Sequence, residues 1–401
     1  MNMQARGFGT QIRLISGFFN RFEASEPLLL LRGRSQERQE EGRGRLLIYP
    51  SFFASPWRFR RLDMGCATVL LALDLYRCGT LTQCISVFSE SGEAVKISYA
   101  PRRAAFYPYD GGTGWEVPPK EVRQAYLRKV HDLGFAGIEI GLGQGVGTSE
   151  AEIRALREDL AAADVACVAV RGGGGFAHPG VAAQNQQRVA DAIRMAAWIG
   201  SNLVNMTVLT PPTNPHGIGA QGTGERICQG GSRTATEADF AITARYLQEA
   251  AALAADLGVA IAIEMHQRSI ADNSWSCLHL LELIDRPNVG INPDLGNLYW
   301  TYDEPEESLE ACIVALAPHA NYWHCKSLAR SHIPDHNRAY FRRVPLPEGE
   351  IDYRFAIAAM AHAGYDGSLA IEGVPLGDQL YNDGRSLAYC QQILCECNEA
   401  R

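Results

Sequence analysis

The run Val259-Ala-Ile-Ala-Ile-Glu-Met265 is apolar and β-rich until it meets a carboxylate, and Gly258 stands directly before it. A short buried strand reads this way, with its polar residue at the carboxyl end. The pattern recurs downstream as VGINPD over 289–294, ANYWHCK over 320–326 and SLAIEG over 368–373. Upstream it recurs as VKISYA (95–100), FAGIEIG (135–141), VACVAVR (165–171) and NLVNMTV (202–208). Amphipathic helical stretches lie between these runs, at 119–133, 149–163, 183–198, 236–257, 276–285, 305–317, 351–363 and 380–396. Gly134, Gly200, Gly258 and Gly364 each close one of them, where a left-handed cap is expected.

Alternating strands and helices predict an α/β chain with a parallel sheet. Eight such units in about 300 residues fit a closed (β/α)8 TIM barrel over residues 95–401. An open doubly wound sheet is the alternative. It wants a Gly-rich fingerprint after its first strand, and Gly111-Gly112-Thr113-Gly114 lacks that spacing.

The chain has 401 residues, 46% hydrophobic and 20% charged, enough for a large core. A formal net charge of −8 argues against a nucleic-acid partner, because phosphate binding rests on excess Lys and Arg. The 11 cysteines are scattered without metal-ribbon spacing and read as reduced thiols. No apolar run reaches the ~18 residues that cross a bilayer, so a cytoplasmic protein without a membrane partner is expected.

Residues 1–94 differ in character. Arg32, Arg34, Arg38, Arg43, Arg45, Arg58, Arg60 and Arg61 crowd a region without helical or strand period. This extension reads as a disordered arm, a small accessory domain or a targeting sequence. It also fits a stretch upstream of the true start: a GTG codon at Val95 would initiate, and Ser91-Gly92-Glu93 permits a purine-rich ribosome-binding sequence.

In a (β/α)8 barrel the chemistry sits at the carboxyl ends of the strands. The last four strands deliver Glu264, Asp294, His324 and Glu372 there. The first three are each thirty residues apart (294 − 264 and 324 − 294), one strand–helix unit per step. A single such residue is as readily explained by a structural ion pair. Four in register are not, since converging carboxylates repel unless a cation joins them. Three carboxylates and an imidazole suit Mn²⁺ first, with Mg²⁺, Co²⁺ or Zn²⁺ as alternatives.

The segments Ile-Ala-Ile-Glu264, Asn-Pro-Asp294-Leu-Gly-Asn297, His324-Cys-Lys326 and Ala-Ile-Glu372-Gly resemble the sugar phosphate isomerase/epimerase superfamily, the xylose isomerase-like barrels. The resemblance covers roughly residues 95–397. It implies a metal-dependent isomerase or epimerase of a sugar or keto-sugar, working by proton abstraction through an enediolate-type intermediate. Carried over, Glu264 and Glu372 would be both metal ligands and the acid–base pair.

One departure stands out. Relatives often carry a His three residues after the Asp ligand, where this chain has Asn297. His266 lies instead two residues beyond Glu264, on the same strand face if the strand persists. A neutral imidazole there, with a pKa near working pH, would be a general base; equally, it would orient Glu264 by a hydrogen bond. The departure keeps a lyase on the same scaffold in view, either a dehydratase or a C-glycoside deglycosidase catalytic subunit, the latter with a second subunit. An endonuclease IV-like nuclease shares the barrel but uses three metals and a basic face. A non-catalytic binding barrel is the remaining alternative. A homo-oligomer is expected only by analogy.

Substrate contacts are expected from Lys326, Arg330, Asn297, Glu139 and His178. Each has a plainer role open to it, an ion pair or a solvated loop. Arg171 ends the third strand, and His332 follows the seventh. The Gly172–Gly175 run is expected to approach substrate or act as a lid, and the loop 209–235 is a second lid candidate. Trp115 and Trp300 are candidates for an apolar wall.

Overall fold

The computed structural model describes residues 95–101, 120–141, 149–177, 180–210, 231–267, 269–300, 305–336, 338–375 and 377–399. The extension 1–94, the Gly111–Gly114 run, Trp115, His178 and most of the loop 209–235 lie outside these residues.

Strands and helices alternate as expected. They run β1 (Ile97–Ala100), α1 (Lys120–Asp132), β2 (Gly137–Gly141), α2 (Glu150–Ala162), β3 (Ala166–Gly174), α3 (Ala182–Ile199) and β4 (Leu203–Val208). There follow α4 (Glu237–Asp256), β5 (Ala260–Glu264), α5 (Ser274–Ile284), β6 (Val289–Asn292), α6 (Leu295–Leu298) and α7 (Leu309–Leu316). The chain continues with β7 (Trp323–Cys325), β8 (Ser327–Ile333), β9 (Arg338–Val344), α8 (Tyr353–His362), β10 (Leu369–Glu372) and α9 (Gln379–Glu399). Helix starts follow local chemistry. Ser149 and Glu152 form a capping box on α2, as do Thr236 and Asp239 on α4. The four capping glycines have φ of 100°, 85°, 68° and 81°, the left-handed conformation expected of them.

Eight strands pair in parallel in the order β6-β5-β4-β3-β2-β1-β10-β7. The ring closes between β6 and β7 through a single bridge, Ile291 to Ala320. This is the (β/α)8 barrel. Residues alternate inward and outward along each strand. Outward Ile261, Ile263, Val204, Met206, Trp323 and Ile371 join the main core under the helices. Inward Ala169, Leu203, Ala262, Tyr322 and Ala370 form a separate plug inside the ring. Two residues further along the same strands stand Arg171, Asn205, Glu264, His324 and Glu372. An apolar plug thus underlies a polar layer, and strand periodicity alone sets that layering.

Three expectations change. Strand β3 runs on through Gly174 and pairs with β4, so Gly172, Gly173 and Gly174 are sheet residues rather than a lid. A Cβ on Gly173 would lie 2.5 Å from Thr207 O, which explains the glycine. Strand β6 stops at Asn292, and Asp294 caps the short helix α6, its side chain accepting from Gly296 N. The segment after β7, expected as a loop, is an antiparallel hairpin of β8 and β9. No helix among the described residues is long and apolar enough to cross a membrane.

Candidate metal centre

Glu264 ends β5, Asp294 caps α6, His324 is central in β7 and Glu372 ends β10. One ligand atom from each lies within 4.8 Å of all the others, and all four residues are buried. The ring of His324 is held from behind. Its Nε2 donates to Glu139 Oε2 at 2.7 Å, and its backbone N–H donates to Asn292 Oδ1 at 2.7 Å. Its Nδ1 is buried and has no hydrogen-bond partner among the described residues. That atom faces Glu264 Oε2 at 3.6 Å, Asp294 Oδ2 at 3.9 Å and Glu372 Oε2 at 4.0 Å.

A ring nitrogen ringed by three carboxylates, with its opposite nitrogen fixed on a fourth, is the arrangement a histidine–metal bond needs. Without a cation, burial opposes charge on His324, but Glu139 and Glu264 outweigh it and push its pKa up to about 9. Burial, with Glu372 and Glu264 beside it, pushes Asp294 up to about 7 despite Lys326. Burial also works against the Glu264 carboxylate, but Arg171 and His324 hold it well below the usual range. The cluster asks for positive charge at one point, next to His324 Nδ1. The four residues therefore fit a divalent ion.

Protein cations flank the cluster. Arg171 Nη2 is 3.4 Å from Glu264 Oε2 and its Nη1 is 3.7 Å from Glu139 Oε1. Arg343 Nη2 is 3.0 Å from Glu372 Oε1. Lys326 Nζ is 2.9 Å from both Asp294 Oδ2 and Glu372 Oε2. Trp300 lies against two of them, 5.2 Å from Lys326 Nζ and 5.0 Å from the Arg343 guanidinium carbon.

Asn297 is a hub. Its Oδ1 accepts from Lys326 Nζ at 2.7 Å, while its Nδ2 donates to Glu264 Oε1, Met265 O and Asp294 Oδ2 at 3.2, 2.9 and 3.0 Å. Lysine has no acceptor, so the amide orientation is fixed. Asn205 plays the matching part below: its Nδ2 lies 3.3 Å from Glu139 Oε2 and 3.2 Å from Glu264 Oε2, and its Oδ1 accepts from Asn292.

Several residues stand elsewhere than the sequence suggests. Glu139, expected to touch substrate, turns its carboxylate onto His324. Asn297 and Lys326 spend their polar atoms on each other, on Met265 O and on Glu264, Asp294 and Glu372. Arg330 lies over the Tyr299 ring at 5.0 Å, its Nε 4.0 Å from Glu350, and it is Arg343 on the opposite strand that reaches Glu372. His266 lies past the end of β5, in a turn where its Nδ1 donates to Gln267 O at 2.7 Å. Burial, against the opposing pull of Glu264, lowers it to about 4, away from the near-neutral value expected. It is a neutral imidazole with its lone pair on Nε2. Asn205, Asn292 and Arg343 escaped the reading of the sequence; the one signal for the two asparagines is a lone amide in an apolar run.

Residues 127–387 match the family model of the xylose isomerase-like TIM barrel. A xylose isomerase-like TIM barrel protein from Mycobacterium smegmatis, solved in complex with magnesium, is similar in structure at TM-score 0.59 and 21% identity, covering 76% of this chain and 97% of that one. An L-ribulose 3-epimerase superposes with TM-score 0.57 at 17% identity, covering 76% and 96%. The 3-keto-D-glucoside 4-epimerase from E. coli gives 0.54 at 14% identity, covering 74% and 99%. No curated protein sequence matches the chain. The family match takes in well over half of the chain and all four residues of this cluster, and on that ground the chain belongs to the xylose isomerase-like TIM barrel family.

Proposed function

We propose that this protein is a divalent-metal-dependent isomerase or epimerase acting on a sugar or keto-sugar. The observation that carries the reading is the buried His324 Nδ1, without a hydrogen-bond partner among the described residues, facing Glu264, Asp294 and Glu372. The epimerases among its structural neighbours support the substrate class.

A divalent ion at this point would act as a Lewis acid toward adjacent carbonyl and hydroxyl oxygens of the substrate. The chain's own groups supply the rest. Glu264, held ionised by Arg171 and His324, is the base that takes a proton from the carbon beside the carbonyl. Glu372 is the second acid–base carboxylate, its oxygens held by Arg343 and Lys326, and the proton returned to the substrate is the one taken from it. Arg171 and Arg343 lower the cost of negative charge that develops on the substrate. The neutral His266, with Nε2 as acceptor, is suited to a substrate hydroxyl near Glu264.

The test is exchange of substrate C–H for deuterium, followed by NMR with Mn²⁺-loaded protein and a panel of ketoses and 3-keto-glycosides. Exchange with an isomeric product is expected. Glu264→Gln and Glu372→Gln should each slow it by about 10²–10⁴-fold, the range of a lost general acid or base. Turnover with a released group would replace the reading by a lyase. Loaded protein that exchanges nothing would refute it.

A further inference from the structure

Lys326 is buried to 1% exposure, and its ammonium has three acceptors: Asp294 Oδ2 at 2.9 Å, Glu372 Oε2 at 2.9 Å and Asn297 Oδ1 at 2.7 Å. An ammonium has three protons, so none is left for a substrate. The slot that holds it is built for it. A Cβ on Gly296 would lie 2.3 Å from Lys326 Cγ and 2.9 Å from its Cε, so glycine makes room for the stem. Trp300 lies 5.2 Å from the ammonium. The two carboxylate oxygens it grips are the same two that face His324 Nδ1 at 3.9 and 4.0 Å.

We propose that Lys326 is a built-in counter-cation of the metal centre: it holds the Asp294 and Glu372 carboxylates together when no divalent ion is bound, and it lowers the affinity of the centre for such an ion. The proposal rests on the metal reading above. Two buried carboxylates side by side are costly without positive charge between them, and the ammonium supplies it in the metal-free chain. An incoming ion must share both oxygens with a fixed charge of its own sign, and that repulsion is strong where water is excluded. The barrel therefore stays folded without metal, and the ion it takes is exchangeable.

The experiment compares the full chain with Lys326→Met, which keeps an unbranched stem without charge, and with Lys326→Gln, which keeps an amide donor. Mn²⁺ is titrated into each by calorimetry, and each is melted with and without Mn²⁺. Both variants should melt lower than the parent when metal-free, gain more from Mn²⁺, and bind it about tenfold or more tightly, as expected for removal of a like charge at contact distance. A residue that merely packed the site would loosen binding when replaced. Unchanged or weaker Mn²⁺ binding in the variants overturns the proposal; if Lys326→Met fails to fold, Lys326→Gln decides. Binding by the variants alone upholds it. Absence of binding in all three proteins removes the metal reading itself, and the proposal with it.

Discussion

Glu139 is the residue whose removal separates a metal site from a cluster of ion pairs. Its carboxylate sits 2.7 Å from His324 Nε2, on the far side of the ring from the other three carboxylates. Such a partner fixes the tautomer and aims the free nitrogen, and its loss commonly costs about 10–100-fold in metal affinity. Glu139→Gln is therefore expected to weaken Mn²⁺ binding by that factor in a titration while the fold, read by circular dichroism, is retained. Equal affinity in parent and variant would mean that His324 is not a ligand. Glu264, Asp294, His324 and Glu372 are legible in the sequence because each is a charge or imidazole at or near the end of an apolar run. Their supporting shell is not. Asn205 and Asn292 are single amides in buried strands, and nothing local distinguishes them from a tolerated polar residue. Lys326 and Asn297 look like substrate contacts in the sequence because it gives direction along a strand but not the partner met across the barrel.

At the scale of elements, the strands and helices were legible because burial imposes apolar runs of period two or 3.6 and glycine marks their ends. The hairpin of β8 and β9 was not. Its residues Ser327–Ile333 and Arg338–Val344 are rich in Arg and His, and only Lys326 separates β8 from the end of the barrel strand β7, so the sequence does not mark the break. That hairpin matters to the site, because register sets Leu328 opposite Arg343, and Arg343 then lies 3.0 Å from Glu372 Oε1. Arg330, two positions along β8 from Leu328, is committed to Tyr299 and Glu350 instead. A hydrogen bond to a charged group is worth about 1.5–3 kcal/mol, or about 10–100-fold in rate if it acts on the reacting carboxylate. Arg343→Met is expected to slow deuterium exchange by that much and Arg330→Met by less than about threefold. The reverse ranking would place the working cation where the sequence first suggested it.

For the whole molecule, the proposed metal centre and the barrel's weakest join coincide. Val95 is buried and β1 pairs with both β2 and β10, so a chain beginning at Val95 has every strand of the ring. It is expected to fold and bind Mn²⁺ as the full chain does, whereas one beginning at Lys120 loses β1 and should not fold. The ring itself is paired through successive ladders except between β6 and β7, where, among the described residues, one bridge, Ile291 to Ala320, and one further hydrogen bond do the joining. The bridge includes the bond from Asn321 N to Ile291 O at 3.2 Å, and the further bond runs from His324 N to Asn292 Oδ1 at 2.7 Å. Asp294 follows β6 and His324 lies in β7, so two of the four proposed ligands stand on opposite banks of this seam. An ion bound there would act as a staple across it. A ligand at 100 times its Kd adds about 2.7 kcal/mol to the state that binds it, which is about 100-fold in the population of the opened form. Where opening of the seam breaks the site, the amides of Asn321 and His324 should lose about that factor of protection in hydrogen exchange when Mn²⁺ is removed by a chelator. The amide of Ala260, which donates to Asn202 O beside the β4–β5 ladder, should change far less. A uniform loss of protection across all strands would mean instead that the ring opens only as one unit, with the ion stabilising the barrel as a whole rather than its seam.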